Sequence, residues 1–96
     1  MKIIILPSVL DDLEAGFQLY EHQQEFLGGY FLDSLCSDIG SLRLYAGIHP
    51  EAFGHHRLLS KRLPYAIYYA AESETVFVKA VLDCRADSKF HRQRLR

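Results

Sequence analysis

Residues 55–85 read HHRLLSKRLPYAIYYAAESETVFVKAVLDCR, and the way this stretch divides decides the fold. β-branched, aromatic and apolar residues gather in three runs, 55–60, 65–71 and 75–83. Lys61-Arg62-Leu63-Pro64 and Glu72-Ser73-Glu74 separate them. Short apolar runs bounded by polar or proline-bearing breaks read as strands joined by tight turns. Successive side chains on a strand point to opposite faces. In the third run this places Val76, Val78, Ala80 and Leu82 on one face, and Thr75, Phe77, Lys79, Val81, Asp83 and Arg85 on the other. The first set is apolar throughout and is expected to pack under helices. The second mixes charge with apolar groups and is expected to be open.

Working outward toward the N-terminus, residues 48–54 read as a loop containing His49-Pro50. Before it, Phe31, Leu32, Leu35, Ile39 and Leu42 form the apolar stripe of a helix over 29–45, with Asp33, Ser37, Asp38 and Ser41 on its wet side, Cys36 at the stripe's edge and Ala46-Gly47 as its stop. Gly28-Gly29 marks a short break. An earlier helix over 8–24 carries Leu10, Leu13, Phe17 and Tyr20 on one face. Ser8 stands three residues before Asp11, the spacing of a capping box, and early carboxylates suit the helix dipole. So short a break implies an antiparallel helical hairpin. Residues 2–6 are apolar and β-branched and read as a first strand that Pro7 ends. The order β-α-α-β-β-β implies an α+β domain, a helical hairpin packed on a mainly antiparallel four-stranded sheet. Beyond Arg85, residues 86–96 read as a basic tail, helical or disordered.

Ninety-six residues make one domain, 1–96. No apolar run approaches the roughly 20 residues that span a bilayer, and the opening MKIIILPS is too short for a signal peptide, so no membrane association is expected. Cys36 and Cys84 are far apart and form no C-x-x-C pair, which fits reduced thiols and a cytoplasmic setting. The net charge of −1 conceals an asymmetry. Residues 1–53 carry two basic residues against eight acidic ones, and residues 54–96 carry nine basic against four acidic. Such polarity makes one surface attractive to anions while the molecule as a whole stays near neutral.

Metal and cofactor chemistry find little support. Adjacent His55 and His56 point to opposite faces of a strand, so a metal site joining them to Cys84 and His91 is not expected. No glycine-rich phosphate loop and no nucleophile elbow is present, and no cofactor is expected. Tyr65, Tyr68 and Tyr69 offer aromatic surface for stacking on bases, but they fit better as core and edge aromatics of the sheet.

Four segments, in order, resemble toxins of the RelE/ParE superfamily from type II toxin–antitoxin (plasmid stabilisation) modules. P-S-V-L-D-D-L at 7–13 is similar to the family's S-P-x-A-x-x-D-L. F-L-G-G-Y-F-L-D-S-L at 26–35 is similar to G-L-G-x-x-F-x-x-x-L. R-L-L-S-K-R-L-P-Y-A-I-Y-Y at 57–69 is similar to R-x-x-x-x-x-F-P-Y-x-I-x-Y, and V-F-V-K-A-V-L-D-C-R-A-D at 76–87 matches a last strand ending in R-x-D. The resemblance spans almost the whole chain and implies the same β-α-α-β-β-β fold.

It also implies a function. RelE-like members cut mRNA on the ribosome, ParE-like members inhibit DNA gyrase, and both are neutralised by a cognate antitoxin protein. Cleavage through the 2′-hydroxyl needs a base, an acid and cations to stabilise the developing charge. At the positions that serve this in RelE-like enzymes, Arg57 and Arg85 keep a cation, Leu59 and Ala66 lose one, and His91 replaces a tyrosine. Arg57 and Arg85 are expected on the open face, where they would grip a phosphate. Asp83 and Asp87 are their local competitors. Lys61, Arg62, Lys79, Lys89 and Arg92 are expected to bind the target or a nucleic acid. The lost cations favour a ParE-like toxin that binds gyrase. The alternatives are a metal-independent RelE-like endonuclease, with Arg57, Arg85 and His91 catalytic, and a decayed toxin that only binds antitoxin. A homodimer or a toxin–antitoxin hetero-oligomer accompanies each reading.

Overall fold

The computed structural model describes residues 1–96. In chain order it contains β1 (Lys2–Ile5), α1 (Pro7–Gln23), α2 (Leu27–Gly40), α3 (Leu42–Tyr45), β2 (Glu51–Ala52), β3 (His55–Leu59), β4 (Tyr65–Glu72), β5 (Thr75–Asp83) and α4 (Ser88–Arg94). The sheet order is β1-β5-β4-β3-β2. β1 runs parallel to β5 and every other pair is antiparallel. The expected α+β architecture holds, with five strands instead of four. The added strand lies inside the stretch read as a loop. Phe53 and Gly54 both take positive φ, 54° and 79°, and form the two-residue turn that pairs β2 with β3. Turns of that hand match the twist of the flanking strands, but a phenylalanine in the left-handed region gives no sequence signal. No helix is long and apolar enough to cross a membrane.

α1 begins one residue earlier than its capping signal implied. Pro7 occupies the first turn, where its missing N–H is no loss, and Leu6 precedes it without any side-chain cap. The Ser8 capping box does not form. The buried stripe of α1 is Val9, Leu13, Gly16 and Tyr20, while Leu10 is exposed. Gly16 sets this rotation. A Cβ there would lie 2.1 Å from the tip of the Phe31 ring, so only glycine lets that ring rest against the α1 backbone. Gly28 reciprocates by seating the ring of Phe17, at 2.7 Å from a notional Cβ. The Glu21 carboxylate accepts the N–H groups of Phe26 and Gly28 at 3.1 and 2.9 Å, and thereby caps α2 from the neighbouring helix.

The second helix starts at Leu27 and breaks at Ser41, where the expected single helix over 29–45 becomes α2 and the short α3. Asp38, read as part of the wet side, is buried. Its carboxylate accepts the Ser60 hydroxyl at 2.6 Å and ties α2 to the end of β3. Cys36 is exposed.

The largest departure lies in β5. Tyr68 pairs with Ala80 but Tyr69 pairs with Val78, so β5 carries one residue more than β4 at that point. This is a β-bulge, and it reverses the alternation. Before it, Val76 and Val78 face the helices as expected. After it, Val81 takes the helix side, and Ala80 and Leu82 turn to the opposite face. The main core, between helices and sheet, contains Val9, Leu13, Phe31, Leu35, Ile67, Tyr69, Val76, Val78 and Val81.

Candidate functional site

Ala80 and Leu82, delivered by the bulge, join Ala66 and Tyr68 of β4 in a second apolar cluster on the open face. The small side chains of Ala66 and Ala80 leave room above the sheet, and Leu95 fills it. The basic tail is therefore a docked helix. Asp87 caps α4 by accepting the Lys89 N–H at 2.8 Å. Arg94 holds the Asp12 carboxylate of α1 through Nη1 and Nη2, the latter at 2.9 Å. Asp12 also accepts the Val81 N–H at 3.0 Å, in the part of β5 that runs past the end of β1. One carboxylate thus satisfies an edge amide that β1 leaves unpaired and clamps α4 around it.

His91 is buried on this face, not free on a mobile tail. Its Nε2 lies 2.8 Å from the Asp83 carbonyl, which only accepts, so Nε2 carries hydrogen. Its Nδ1 lies 2.8 Å from the Tyr68 hydroxyl and, in the neutral ring, accepts from it. Burial raises the pKa of the Tyr68 phenol, and the Arg57 guanidinium beside it pulls the other way.

Beside this pair opens a cavity of about 120 Å³ bordered by Phe53, Arg57, Tyr68, Cys84 and His91, with Ala86 and Ser88 at its rim. Arg57 forms no ion pair there. Partial burial pushes the Cys84 thiol up, so at neutral pH it stays protonated and is a poor nucleophile. Arg92 sits over the Phe53 ring, 5.9 Å from its centroid.

The remaining cations do not converge on this cavity. Arg85 donates from Nε and Nη2 to the two Asp83 oxygens, at 2.9 and 2.8 Å. That fork holds the Asp83 carboxyl below its usual range and raises Arg85 in turn. Lys79, at the bulge, lies 5.7 Å from the Phe77 ring centroid and shares a depression with His55, Arg94 and Arg96. Lys89 is exposed on α4. Lys61 and Arg62 sit on the β3–β4 turn, against α2. Leu59 is exposed with no cation to offer, and Ala66 is buried.

Tyr65, Tyr68 and Tyr69 are all buried, so none presents a face for base stacking. The Tyr69 hydroxyl oxygen accepts the Gly47 N–H, and the hydroxyl also bonds Nδ1 of His49. The imidazoles of His55 and His56 engage separate carbonyls, those of Phe53 and His49. No group of three or more His, Cys, Asp or Glu side chains converges to metal-binding distance. Sequence reading missed Asp12 and the pairing of Tyr68 with His91. An acidic residue early in a helix looks like a dipole partner, and a tyrosine on a central strand looks like core.

No family model matches the chain, and no curated protein does. Among solved structures, the chain is similar to one from the chromosomal ParDE TA system from P. aeruginosa. The TM-score is 0.76 at 15% identity, over 84% of this chain and 92% of that one. The likeness is one of fold: the chain shares the α+β fold of that structure.

Proposed function

We propose that this protein is the toxin of a type II toxin–antitoxin module, ParE-like in action. It arrests growth in the cytoplasm by binding a cellular target such as DNA gyrase, and a cognate antitoxin neutralises it. The shared fold with a chain of a ParDE system supports the module. One observation carries the choice of branch: few of the positions that the resemblance assigns to RNA cleavage hold an unpaired acid, base or cation. Arg85 is paired with Asp83 at the surface, and both nitrogens of His91 are engaged. Leu59 and Ala66 supply no charge, and Arg57 alone faces the cavity unpaired. One guanidinium gives little of the base, acid and charge stabilisation that RNA cleavage needs. A protein ligand needs only complementary surface, and cations spread over the open face suit a binding role.

Induction of the chain in bacteria is expected to arrest growth, and co-expression of an antitoxin encoded beside it to restore growth. Purified protein is expected to abolish supercoiling by gyrase without creating new mRNA 5′ ends in a translating extract. Unimpaired supercoiling at saturating protein removes the gyrase reading. The endonuclease reading rests on Arg57 lying beside the Tyr68–His91 pair in an open cavity. It requires cleavage on programmed ribosomes that Arg57→Ala abolishes. Harmless expression without antitoxin points to a decayed toxin that retains only antitoxin binding.

A further inference from the structure

A second cavity, of about 130 Å³, lies between α2 and the β3–β4 turn and shares no lining residue with the open-face site. Ser34, Ser37, Asp38, Ser41, Lys61 and Arg62 line it, and no apolar side chain does. Ser34 is 3% exposed, and its hydroxyl has no hydrogen-bond partner. Buried polar groups almost always find one, and a missing partner at such a place points to a ligand that supplies it. Asp38 is also buried and gives one carboxylate oxygen to Ser60. Lys61 and Arg62 are exposed and form no ion pair, although Asp38 borders the same cavity. The Ser41 hydroxyl donates to the Asp38 carbonyl at 2.6 Å, so only its oxygen remains for a ligand.

We infer that this cavity binds a phosphoryl oxyanion that itself carries a hydrogen-bond donor. Two cations against one carboxylate favour an anion, and the Ser34 and Ser37 hydroxyls have hydrogens to give it. Arg62 presents a planar fork suited to two phosphoryl oxygens, and Lys61 adds a point charge. The Asp38 carboxylate only accepts, so it repels a fully deprotonated oxyanion and welcomes one with a hydrogen to donate. Hydrogen phosphate carries that hydrogen on the ion. A sugar phosphate brings it as a hydroxyl beside the phosphoryl group. Sulfate, of similar size and shape, has none at neutral pH. The carboxylate is thus the element that discriminates, because a buried acceptor left unpaired penalises the wrong ligand.

Binding to the purified full chain tests the site, and it stands or falls apart from the toxin reading. Titration calorimetry with inorganic phosphate, sodium sulfate and ribose 5-phosphate, at matched ionic strength, is expected to show saturable phosphate binding, with sulfate at least about tenfold weaker. Tighter ribose 5-phosphate than phosphate identifies the phosphoryl group as part of a larger ligand; the reverse identifies the free ion. Lys61→Gln with Arg62→Gln, on an exposed turn that leaves the core intact, is expected to weaken phosphate by at least about tenfold. Ser34→Ala removes a single hydroxyl and weakens it less. Asp38→Asn, whose amide donates, is expected to narrow the preference for phosphate over sulfate. Absence of saturable phosphate binding overturns the inference. So does affinity unchanged in the Lys61/Arg62 double variant, or sulfate binding equal to phosphate.

Discussion

The two faces of the sheet are closed in different ways. On one, α1 and α2 pack on the sheet in a cluster of fourteen buried residues, with Phe31 wedged between helices and sheet against Tyr20 and Tyr65. On the other, the seven-residue α4 and the Leu95 that follows it complete a cluster of only five, and polar bonds do much of the fastening: His91 to Tyr68 and Asp83, Arg94 to Asp12. The first face obtains its stability from area removed from water, at about 25 cal/mol per Å². The second depends on a few directional bonds that can be broken singly, and elements held this way open first. The open-face cavity lies beside the weaker closure, where a partner can displace or reinforce α4.

Breaking the first face should cost most. Phe31→Ala empties a fully buried site and is expected to lose about 3–5 kcal/mol, read as a lower denaturation midpoint for the whole domain. Asp12→Ala tests the clamp joining the faces. It strands the Val81 amide and a partly buried guanidinium, and is expected to cost about 2 kcal/mol. Hydrogen exchange should then show α4 and the β5 edge losing protection while α1 and α2 keep theirs. Uniform loss would mean that the two faces are one cooperative unit.

Tyr68→Phe sharpens the contrast with a single atom. It removes the donor to His91 Nδ1 without changing shape, and is expected to cost about 1 kcal/mol. Faster exchange confined to α4 is the measurement that checks it. The smallest effect belongs to Arg85, which is exposed, and Asp83, which is half-buried two residues before it. The Arg85 hydrogen bonds lower the Asp83 pKa from its ordinary 3.8. A depressed carboxylate stabilises the fold above its unfolded pKa, and that contribution fades as pH falls through the folded value. Asp83→Asn is therefore expected to make stability fall less steeply below about pH 4. At neutral pH it should change stability by no more than about 0.5 kcal/mol.

The helix-covered face was largely legible in the chain. Leu13, Tyr20, Phe31, Leu35, Val76 and Val78 fall where periodicities of 3.6 and 2 place them. The open face was not. Strict alternation put Ala80 and Leu82 under the helices, and the bulge opposite Tyr68 and Tyr69 moved them. Nothing in V-F-V-K-A-V-L-D marks where an extra residue enters, because a bulge is set by the register of the partner strand. Asp38 was misread for a related reason. Helical spacing shows which residues are polar, but whether a polar residue meets water or another element depends on what packs there.

By itself the sequence determined the α+β class, the strand–hairpin–three-strand order, the split of charge along the chain and the RelE/ParE-like resemblance. These follow from local periodicity, turn residues and composition, which act over a few neighbours. Only the tertiary structure decided which residues share a face beyond the bulge, that the basic tail docks as α4, and which cations are free. Arg57 and Arg85 look alike on paper. One borders a cavity without an ion pair and the other is held by Asp83, because side-chain partners are chosen by distances in space that the folded chain alone sets.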